Sequence, residues 1–174
     1  MNKFWLFIYS DSMIIHLKNK QTLKIGNFYL RCSIGASGIT KKKIEGDKKT
    51  PSGFYSIEHL YVRKDRIKKI HSKLKIIKIK KNMGWCDDIR SKKYNKLIKI
   101  KKNIHHEKLY RKDFKYDLLI PIKYNFKKPK KNLGSCIFIH LTKDYKATKG
   151  CIALKKKDFF IMLKLIKKNS KIKI

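Results

Sequence analysis

Acidic side chains are scarce in this sequence, and arginine is scarcer still. Twelve Asp and Glu stand against 47 Lys and Arg, which gives a formal net charge of +35. Such a charge predicts attraction to polyanions, including nucleic acid, anionic lipid and acidic cell-wall polymers. The arginines are Arg31, Arg63, Arg66, Arg90 and Arg111. Because recognition of phosphate and base edges favours the planar arginine fork, specific nucleic-acid binding is not predicted.

The lysines do not form one cluster. They run from Lys3 to Lys173 beside Ile, Asn, Phe and Tyr, all residues with codons rich in A and T. Base composition therefore explains much of the charge without a ligand, and attraction to anionic polymers is expected to be non-specific.

The sequence lacks the cysteine spacings of a metal site. Its four cysteines form no CxxC pair and no Cys/His cluster, so no metal is predicted. If Cys151 works as a thiolate, it cannot lie in a permanent disulfide, which leaves at most one bridge. We expect Cys32, Cys86 and Cys136 to be buried free thiols that pack as small hydrophobes.

Long apolar runs and flexible linkers are also missing. No stretch approaches the roughly 18 apolar residues of a membrane span. The run FWLFIY at 4–9 follows Lys3 but lacks a small-residue cleavage site, so it predicts a first β-strand and no convincing signal peptide. No Pro/Gly/Ser-rich linker divides the chain, and we expect a single domain spanning residues 1–174.

Short runs rich in Ile, Phe and Tyr recur between turn residues and predict β-strands. They lie at residues 4–9, 12–17, 27–35, 53–62, 118–124 and 135–141. A helix is predicted at 159–168, with Asp158 as its N-cap, and a second at 105–113. The lysine-rich segment 64–82 is expected to be exposed and irregular. The pattern indicates a mainly β domain, sandwich or barrel-like, with a few short helices including one at the C-terminus.

One histidine and one cysteine stand out in the segment IFIHLTKDYKATKGCIAL at 137–154. His140 ends an apolar run, and Cys151 follows a glycine that allows a tight backbone turn. A thiol with an ordinary pKa near ~8.5 is mostly protonated at neutral pH, so a catalytic cysteine needs a base beside it. Taken alone, the pair is also explained as one polar residue and one small hydrophobe in a core.

Four segments together resemble the L,D-transpeptidase catalytic domain, the YkuD-like family of cysteine enzymes acting on peptidoglycan. In chain order, residues 34–57 (IGASGITKKKIEGDKKTPSGFYSI) resemble its glycine turn and acidic segment, and residues 84–95 (GWCDDIRSKKYN) its tryptophan-acidic stretch. Residues 106–116 (HEKLYRKDFKY) resemble its glutamate-led segment. The catalytic pair of motifs is matched by GSCIFIH, which ends at His140, and by TKGCIAL around Cys151.

The resemblance implies a base at His140 and a nucleophile at Cys151, with Thr148 as the hydroxyl residue ahead of the Gly-Cys pair. It implies an oxyanion site made by the backbone of Gly150 and Cys151. No cofactor is implied.

The chain departs from the family pattern at two positions beside the cysteine. Lys149 stands where many members have histidine, and Ala153 where many have arginine. A Lys149 ammonium could itself favour the thiolate. These departures bear on substrate choice rather than on the reaction class.

The other motif residues have structural and functional readings. Glu45, Asp47, Thr50 and Pro51 are expected to fix a turn, Asp47 having a substrate role as its alternative. Trp85 and Tyr94 are expected in core or rim packing. Asp87, Asp88 and Glu107 are expected to pair with lysines, unless one of them orients His140. The weak candidates for substrate binding are Lys149, Thr148, Trp85, Asp87 and Glu107.

The resemblance implies acyl transfer through a thioester on peptidoglycan stem peptides, and hence a place in the cell envelope. Transfer to an amine gives a cross-link, whereas transfer to water gives carboxypeptidase activity. Two alternatives remain: a non-catalytic polycation that binds nucleic acid or anionic envelope polymer, and a Cys-His peptidase of another fold. The last predicts a helix carrying Cys151. The oligomeric state is not predicted.

Overall fold

The computed structural model describes residues 13–174, so the strand predicted at 4–9 lies outside the described part of the chain. The strands are β1 (Ile14–Asn19), β2 (Thr22–Ile25), β3 (Phe28–Ser33), β4 (Ile39–Thr40), β5 (Thr50–Pro51), β6 (Phe54–Ser56), β7 (Leu60–Val62), β8 (Ile76–Lys78), β9 (Met83–Cys86), β10 (Leu97–Lys99), β11 (His106–Lys108), β12 (Leu118–Pro121), β13 (Phe138–Leu141), β14 (Ile152–Leu154) and β15 (Lys171–Lys173). The α-helix α1 (Lys156–Leu165) lies between β14 and β15.

Ten of these strands form one curled sheet in the order β6-β15-β1-β2-β3-β14-β13-β12-β7-β8. Its neighbours are antiparallel except for three parallel pairs, β15 with β1, β14 with β13 and β7 with β8. A three-stranded sheet (β10-β9-β11) and a two-stranded sheet (β4-β5) complete the fold. The prediction of a mainly β, barrel-like domain with a C-terminal helix is confirmed. That residues 1–174 form one domain stays a prediction.

The two halves of the large sheet bury their residues differently. In β1, Ile15 and Leu17 point into the core whereas His16 and Lys18 point out, as expected for a strand with one wet face. Strands β12, β13 and β14 are buried at every position, since both of their faces are covered. Helix α1 packs against β13 and buries Phe159, Met162 and Leu163. The centre of the sheet is therefore the place where polar side chains are held away from water.

The predicted helix boundaries need correction. The C-terminal helix begins at Lys156 and ends at Leu165, its N-cap residue is Lys155, and no side chain caps it. Asp158 lies in the first turn instead, where it accepts a hydrogen bond from the Tyr145 hydroxyl at 3.2 Å. A carboxylate in that turn still interacts favourably with the helix dipole. None of the described helices reaches the length or apolarity of a membrane span.

One further segment prediction was wrong, and another holds only in part. Residues 105–113 contain no helix, because His106–Lys108 forms β11 and pairs with β9. The segment 64–82 is only partly exposed: it supplies β8, and Ile67, Leu74 and Ile79 are buried in it. Its apolar residues, rather than its lysines, decide how it packs.

Candidate active site

His140 and Cys151 are brought together by the parallel pairing of β13 and β14. His140 lies opposite Ala153, and Ile139 lies opposite Ile152. Cys151 immediately precedes β14, so the same register places it opposite Phe138. Because alternate residues of a strand share one face, Cys151 lies on the face of the sheet that carries His140.

The thiol of Cys151 is held between two backbone groups of the strand beside it. The N–H of Phe138 donates to Sγ at 3.3 Å, and Sγ lies 3.1 Å from the carbonyl oxygen of Cys136, which accepts the thiol hydrogen. Cys136 itself has a left-handed backbone, with φ of 54°. The sulfur is therefore fixed in position between these two backbone groups.

The turn before Cys151 is fixed by Thr148 and by a crowded glycine. The Thr148 hydroxyl donates to the Cys151 carbonyl at 2.6 Å and accepts from the Gly150 N–H at 3.1 Å. Gly150 has φ of +135°, and a Cβ there would lie 2.8 Å from the carbonyl oxygen of Lys49. Only glycine fits this position without strain.

These bonds also bear on the predicted oxyanion site. The Gly150 N–H is already donated to Thr148, whereas within residues 13–174 the Cys151 N–H has no acceptor. Of the two amides that the sequence suggests, Cys151 thus offers the one available to a ligand.

His140 is oriented by a backbone carbonyl. Its Nδ1 lies 2.9 Å from the Leu141 oxygen, which can only accept, so Nδ1 carries the hydrogen and Nε2 carries the lone pair. The edge of the imidazole packs against the Tyr116 ring, with centroids 5.3 Å apart. This arrangement leaves Nε2 in the form that a general base requires.

Burial keeps both members of the pair neutral. It lowers the pKa of His140 to about 4, although the Leu141 carbonyl opposes the shift. It raises the pKa of Cys151 to about 12, which the Phe138 N–H opposes. A preformed thiolate-imidazolium pair is consequently disfavoured.

Two cavities meet beside the pair. One, of about 470 Å³, is lined by His140, Ala153 and several cations, including Arg111 and Lys115. The other, of about 610 Å³, is lined by Cys151 and Cys136 together with Glu45, Lys43 and Ser135. Glu107 and Lys149 border both cavities. His140 and Cys151 thus open toward different cavities, and Glu107 and Lys149 lie between the two.

The Cys151 cavity contains two polar atoms that still lack partners. Ser135 Oγ and His106 Nε2 are buried and make no hydrogen bond in the described structure, and both residues line this cavity. Because an unpaired buried polar atom costs free energy, both positions favour a bound polar group.

Lys149 and Ala153, the two departures from the family motif, both lie beside the cavities. Lys149 borders both cavities, but the lysine whose charge lowers the pKa of Cys151 is the buried Lys43. Ala153 is buried opposite His140, and Arg111 supplies a cation to the cavity there. Arg111 is held by Glu107 and Asp113, both at 2.7 Å.

Within residues 13–174, none of the three acidic candidates orients His140, and none of them pairs with a lysine. Asp87 lies 2.5 Å from His105 Nδ1, Asp88 pairs with Arg90, and Glu107 pairs with Arg111. The expectation of lysine partners was therefore wrong. The group that fixes the imidazole is the Leu141 carbonyl, for which a sequence carries no signal.

Trp85 and Tyr94 lie behind the site rather than in it. Trp85 is 2% exposed, so it has no free face for a substrate; its ring packs edge-on against Phe138, with centroids 5.3 Å apart. Its Nε1–H donates to Asn95 Oδ1, which also accepts from the Cys136 N–H at 3.2 Å. The Tyr94 hydroxyl donates to Glu45.

Asn95 is a position next to the site that the sequence analysis did not single out. Its amide also donates to the carbonyls of Tyr124 and Asn125, at 3.1 and 2.7 Å, so one side chain joins three segments around Cys136. Its signal was the Tyr-Asn pair at the end of the 84–95 stretch.

The acidic turn at 43–50 supports Gly150, the glycine next to Cys151. Asp47 accepts from the N–H groups of Ile44 and Lys49, at 3.0 and 2.8 Å, and pairs with Lys43. Thr50 accepts from the Gly35 N–H at 2.9 Å. Because the Lys49 carbonyl faces Gly150, these bonds hold in place the segment against which the turn before Cys151 packs.

A comparison of the chain with protein families identifies one that accounts for this arrangement. The family model of the L,D-transpeptidase catalytic domain, YkuD, matches residues 7–174. The chain belongs to this family. The fold and the family together are those of an L,D-transpeptidase-type enzyme, and this family acts on peptidoglycan.

The other comparisons add little. No curated protein matches the chain. A solved structure, that of Bd1075 from Bdellovibrio bacteriovorus, is 16% identical in sequence with a TM-score of 0.48. The match covers 93% of this chain and 47% of Bd1075, so the chain spans about half the length of that protein.

Proposed function

We propose that this YkuD domain is a cysteine-dependent L,D-transpeptidase that transfers an acyl group between peptidoglycan stem peptides. The observation that carries the proposal is the pairing of β13 with β14, which sets His140 and Cys151 on one face of the sheet. The Nδ1–H of His140 is bound to Leu141, which leaves Nε2 as the base.

In the first half-reaction, Nε2 of His140 takes the thiol proton while Sγ of Cys151 attacks the carbonyl carbon of the L,D peptide bond. The carbonyl electron pair moves to its oxygen, where the Cys151 N–H donates to it. As the intermediate collapses, the C–N bond breaks, His140 returns its proton to the departing amine, and a thioester remains on Cys151.

In the second half-reaction, an amine from another stem attacks the thioester carbonyl and gives up a proton to His140. The C–S bond breaks, the Cys151 sulfur recovers the proton, and a new amide forms. Two cavities at one pair of residues suit such a sequence, since the donor and the acceptor need separate approaches.

Water in place of the amine gives the second candidate function, L,D-carboxypeptidase activity on the same donor. The open cavities on both sides of the pair favour keeping this candidate, because water reaches the site by the same routes. Both functions share every step up to the thioester.

The test is a product analysis with a tetrapeptide-stem muropeptide, by chromatography and mass spectrometry. We expect release of the terminal D-amino acid together with a cross-linked dimer. A shortened stem without dimer would assign the hydrolase instead. Intact substrate after incubation with the folded protein would refute both functions.

A further inference from the structure

The outer face of β6, β15, β1, β2 and β3 carries cations and apolar rings with no acidic residue among them. The pairing registers place Phe54, Lys173, His16, Lys24 and Tyr29 side by side in one row across the five strands. We call this surface the outer lysine face. With strands about 4.8 Å apart, Phe54 and Tyr29 lie about 19 Å from each other at its two edges.

The charge of the outer lysine face is one-sided. The five strands contain no Asp or Glu, and their cations, all at outward positions, are Lys18, Lys24, Arg31, Lys171 and Lys173. The pKa of His16, in the middle of the row, is lowered by partial burial and then by the charges of three of these lysines. The cations therefore converge on one surface.

The outer lysine face also exposes apolar side chains, which are not required for attracting anions. Tyr29 is 64% exposed, Phe54 51% and Ile14 45%. These are three of the ten large apolar side chains that are exposed within residues 13–174. Lys24 lies over the Tyr29 ring at 5.4 Å and Lys171 over the Phe54 ring at 5.2 Å.

We propose that the outer lysine face docks on the surface of an anionic lipid bilayer. Lysine side chains attract anionic headgroups. The aromatic rings at the two edges of the face, and the aliphatic Ile14 on the central strand, suit the boundary between headgroups and acyl chains. A soluble polyanion needs only the charges and gains nothing from Ile14 or Phe54. Stacking of successive bases needs neighbouring rings, whereas these two rings stand at opposite edges.

The binding site lies apart from the catalytic residues. Cys151 and His140 belong to β13, β14 and the turn between them, which are not among the five strands of the face. Changes on the face should therefore alter membrane binding and leave turnover of a soluble substrate unchanged. The proposal consequently stands or falls independently of the proposed function.

The test is co-sedimentation of the full chain with vesicles of phosphatidylcholine alone or mixed with phosphatidylglycerol. We expect binding to the mixed vesicles only, weakening as salt is raised. The double substitution Lys24→Gln, Lys173→Gln should weaken that binding on the order of twenty-fold, since each lysine contributes about five-fold near an anionic surface. Thermal melting checks that the variants remain folded.

A matched control variant removes the same number of positive charges from a different part of the surface. Lys81→Gln with Lys92→Gln removes two exposed lysines near β9 and should change vesicle binding less than three-fold, in proportion to non-specific charge alone. Equal weakening by this pair and by the face pair would overturn the proposal.

Substitution of the two aromatic rings distinguishes binding to a bilayer from binding to a soluble anionic polymer. Tyr29→Ser with Phe54→Ser keeps the net charge and should weaken vesicle binding about ten-fold, with no effect on binding to polyphosphate. If that variant binds vesicles like the parent chain, the face is a polyanion site only and the membrane proposal is wrong. Equal binding of the parent chain to neutral vesicles would also overturn it.

Discussion

The two halves of the ten-stranded sheet contain the same chemical parts and use them differently. The half made of β6, β15, β1, β2 and β3, the lysine half, has a buried cysteine, Cys32, and a histidine with a lowered pKa, His16. The half made of β14, β13, β12, β7 and β8, the site half, has Cys151 and His140. Burial raises the pKa of both cysteines to about 12.

What differs is which faces these residues share. Cys32 points into the core, whereas His16 points outward on another strand, so no proton can pass between them. Cys151 and His140 lie on one face of adjacent strands beside two cavities. A perturbed pKa therefore does not identify the site; the register of two short strands does.

Charge divides the halves in the same way. The strands of the lysine half contain no acidic residue, whereas Glu45, Asp87 and Glu107 line the Cys151 cavity. The arginines that pair with carboxylates are Arg63, Arg66, Arg90 and Arg111. Most lysine side chains therefore face solvent or remain available to a partner. The scarce acidic residues and most arginines instead stabilise the site and its surroundings.

The cysteine pair gives the largest expected difference between the halves. Cys151→Ala should lower turnover by about 10⁴-fold or more, because the nucleophile is lost. Cys32→Ala removes another buried thiol and should leave turnover within about two-fold. Steady-state kinetics with the tetrapeptide stem compares the two. Similar losses in both variants would mean that Cys151 acts through packing.

The histidine pair comes next. His140→Gln should lower kcat by about 10³-fold, since the general base is removed while the cavity keeps its shape. His16→Gln, on the outer face, should leave kcat unchanged. Loss of activity on substituting His105 or His106, with His140→Gln still active, would move the base to the Cys151 cavity.

The low pKa of His140 predicts an unusual pH dependence. The base is neutral above its folded pKa of about 4, so kcat/KM should fall only near that pH instead of near 6.5. The unfolded chain takes up the proton below about 6.5 and the folded chain does not, so stability is lost as pH falls from 6.5 to 4, by about 3 kcal/mol. Chemical denaturation of the parent chain and of His140→Gln measures this slope, and the variant should lose less stability than the parent chain by about that amount. An acid limb of kcat/KM near 6.5 would contradict the burial argument.

Alanine substitutions at two glycines with positive φ distinguish the cost of steric crowding from the cost of backbone strain. Gly150→Ala should cost about 2–3 kcal/mol of unfolding free energy and most of the activity, because its Cβ meets the Lys49 carbonyl. Gly26, in the lysine half, has φ of +53° and open space around it, so Gly26→Ala should cost only about 1 kcal/mol. Urea denaturation gives both values. Equal costs would show that the contact with Lys49 is unimportant.

The smallest expected effect concerns a hydroxyl. Ser135→Ala should raise KM about five-fold and leave kcat nearly unchanged, because Ser135 Oγ is buried beside the Cys151 cavity, where a polar group of the substrate can reach it. Ser56→Ala on β6 is the matched change in the lysine half and should alter neither constant. An unchanged KM for Ser135→Ala would remove this residue from the substrate site.

Much of the fold and the reactive pair could be predicted from local patterns. Runs of β-branched and aromatic residues indicated β1, β3, β12 and β13, and the four motifs indicated Cys151 with His140. Strands such as β14 and β15 have three residues each, and their pairing depends on partners far along the chain. Such pairing leaves no local signal.

The finer features of the site also depend on tertiary structure. Asp158 follows the pattern of an N-cap, yet the helix starts two residues before it. The segment at 105–113 has helix-forming residues, yet pairing with β9 makes part of it a strand. The orienting group of His140 is a main-chain carbonyl that every residue possesses.

The most direct test of the account is mass spectrometry of the intact protein after brief incubation with a tetrapeptide-stem donor and no acceptor amine. The account predicts an adduct with the mass of the donor minus its terminal D-amino acid, located on the peptide that contains Cys151. The adduct should disappear in Cys151→Ala and persist in Cys32→Ala. An adduct on another residue, or turnover without an adduct on Cys151, would contradict it.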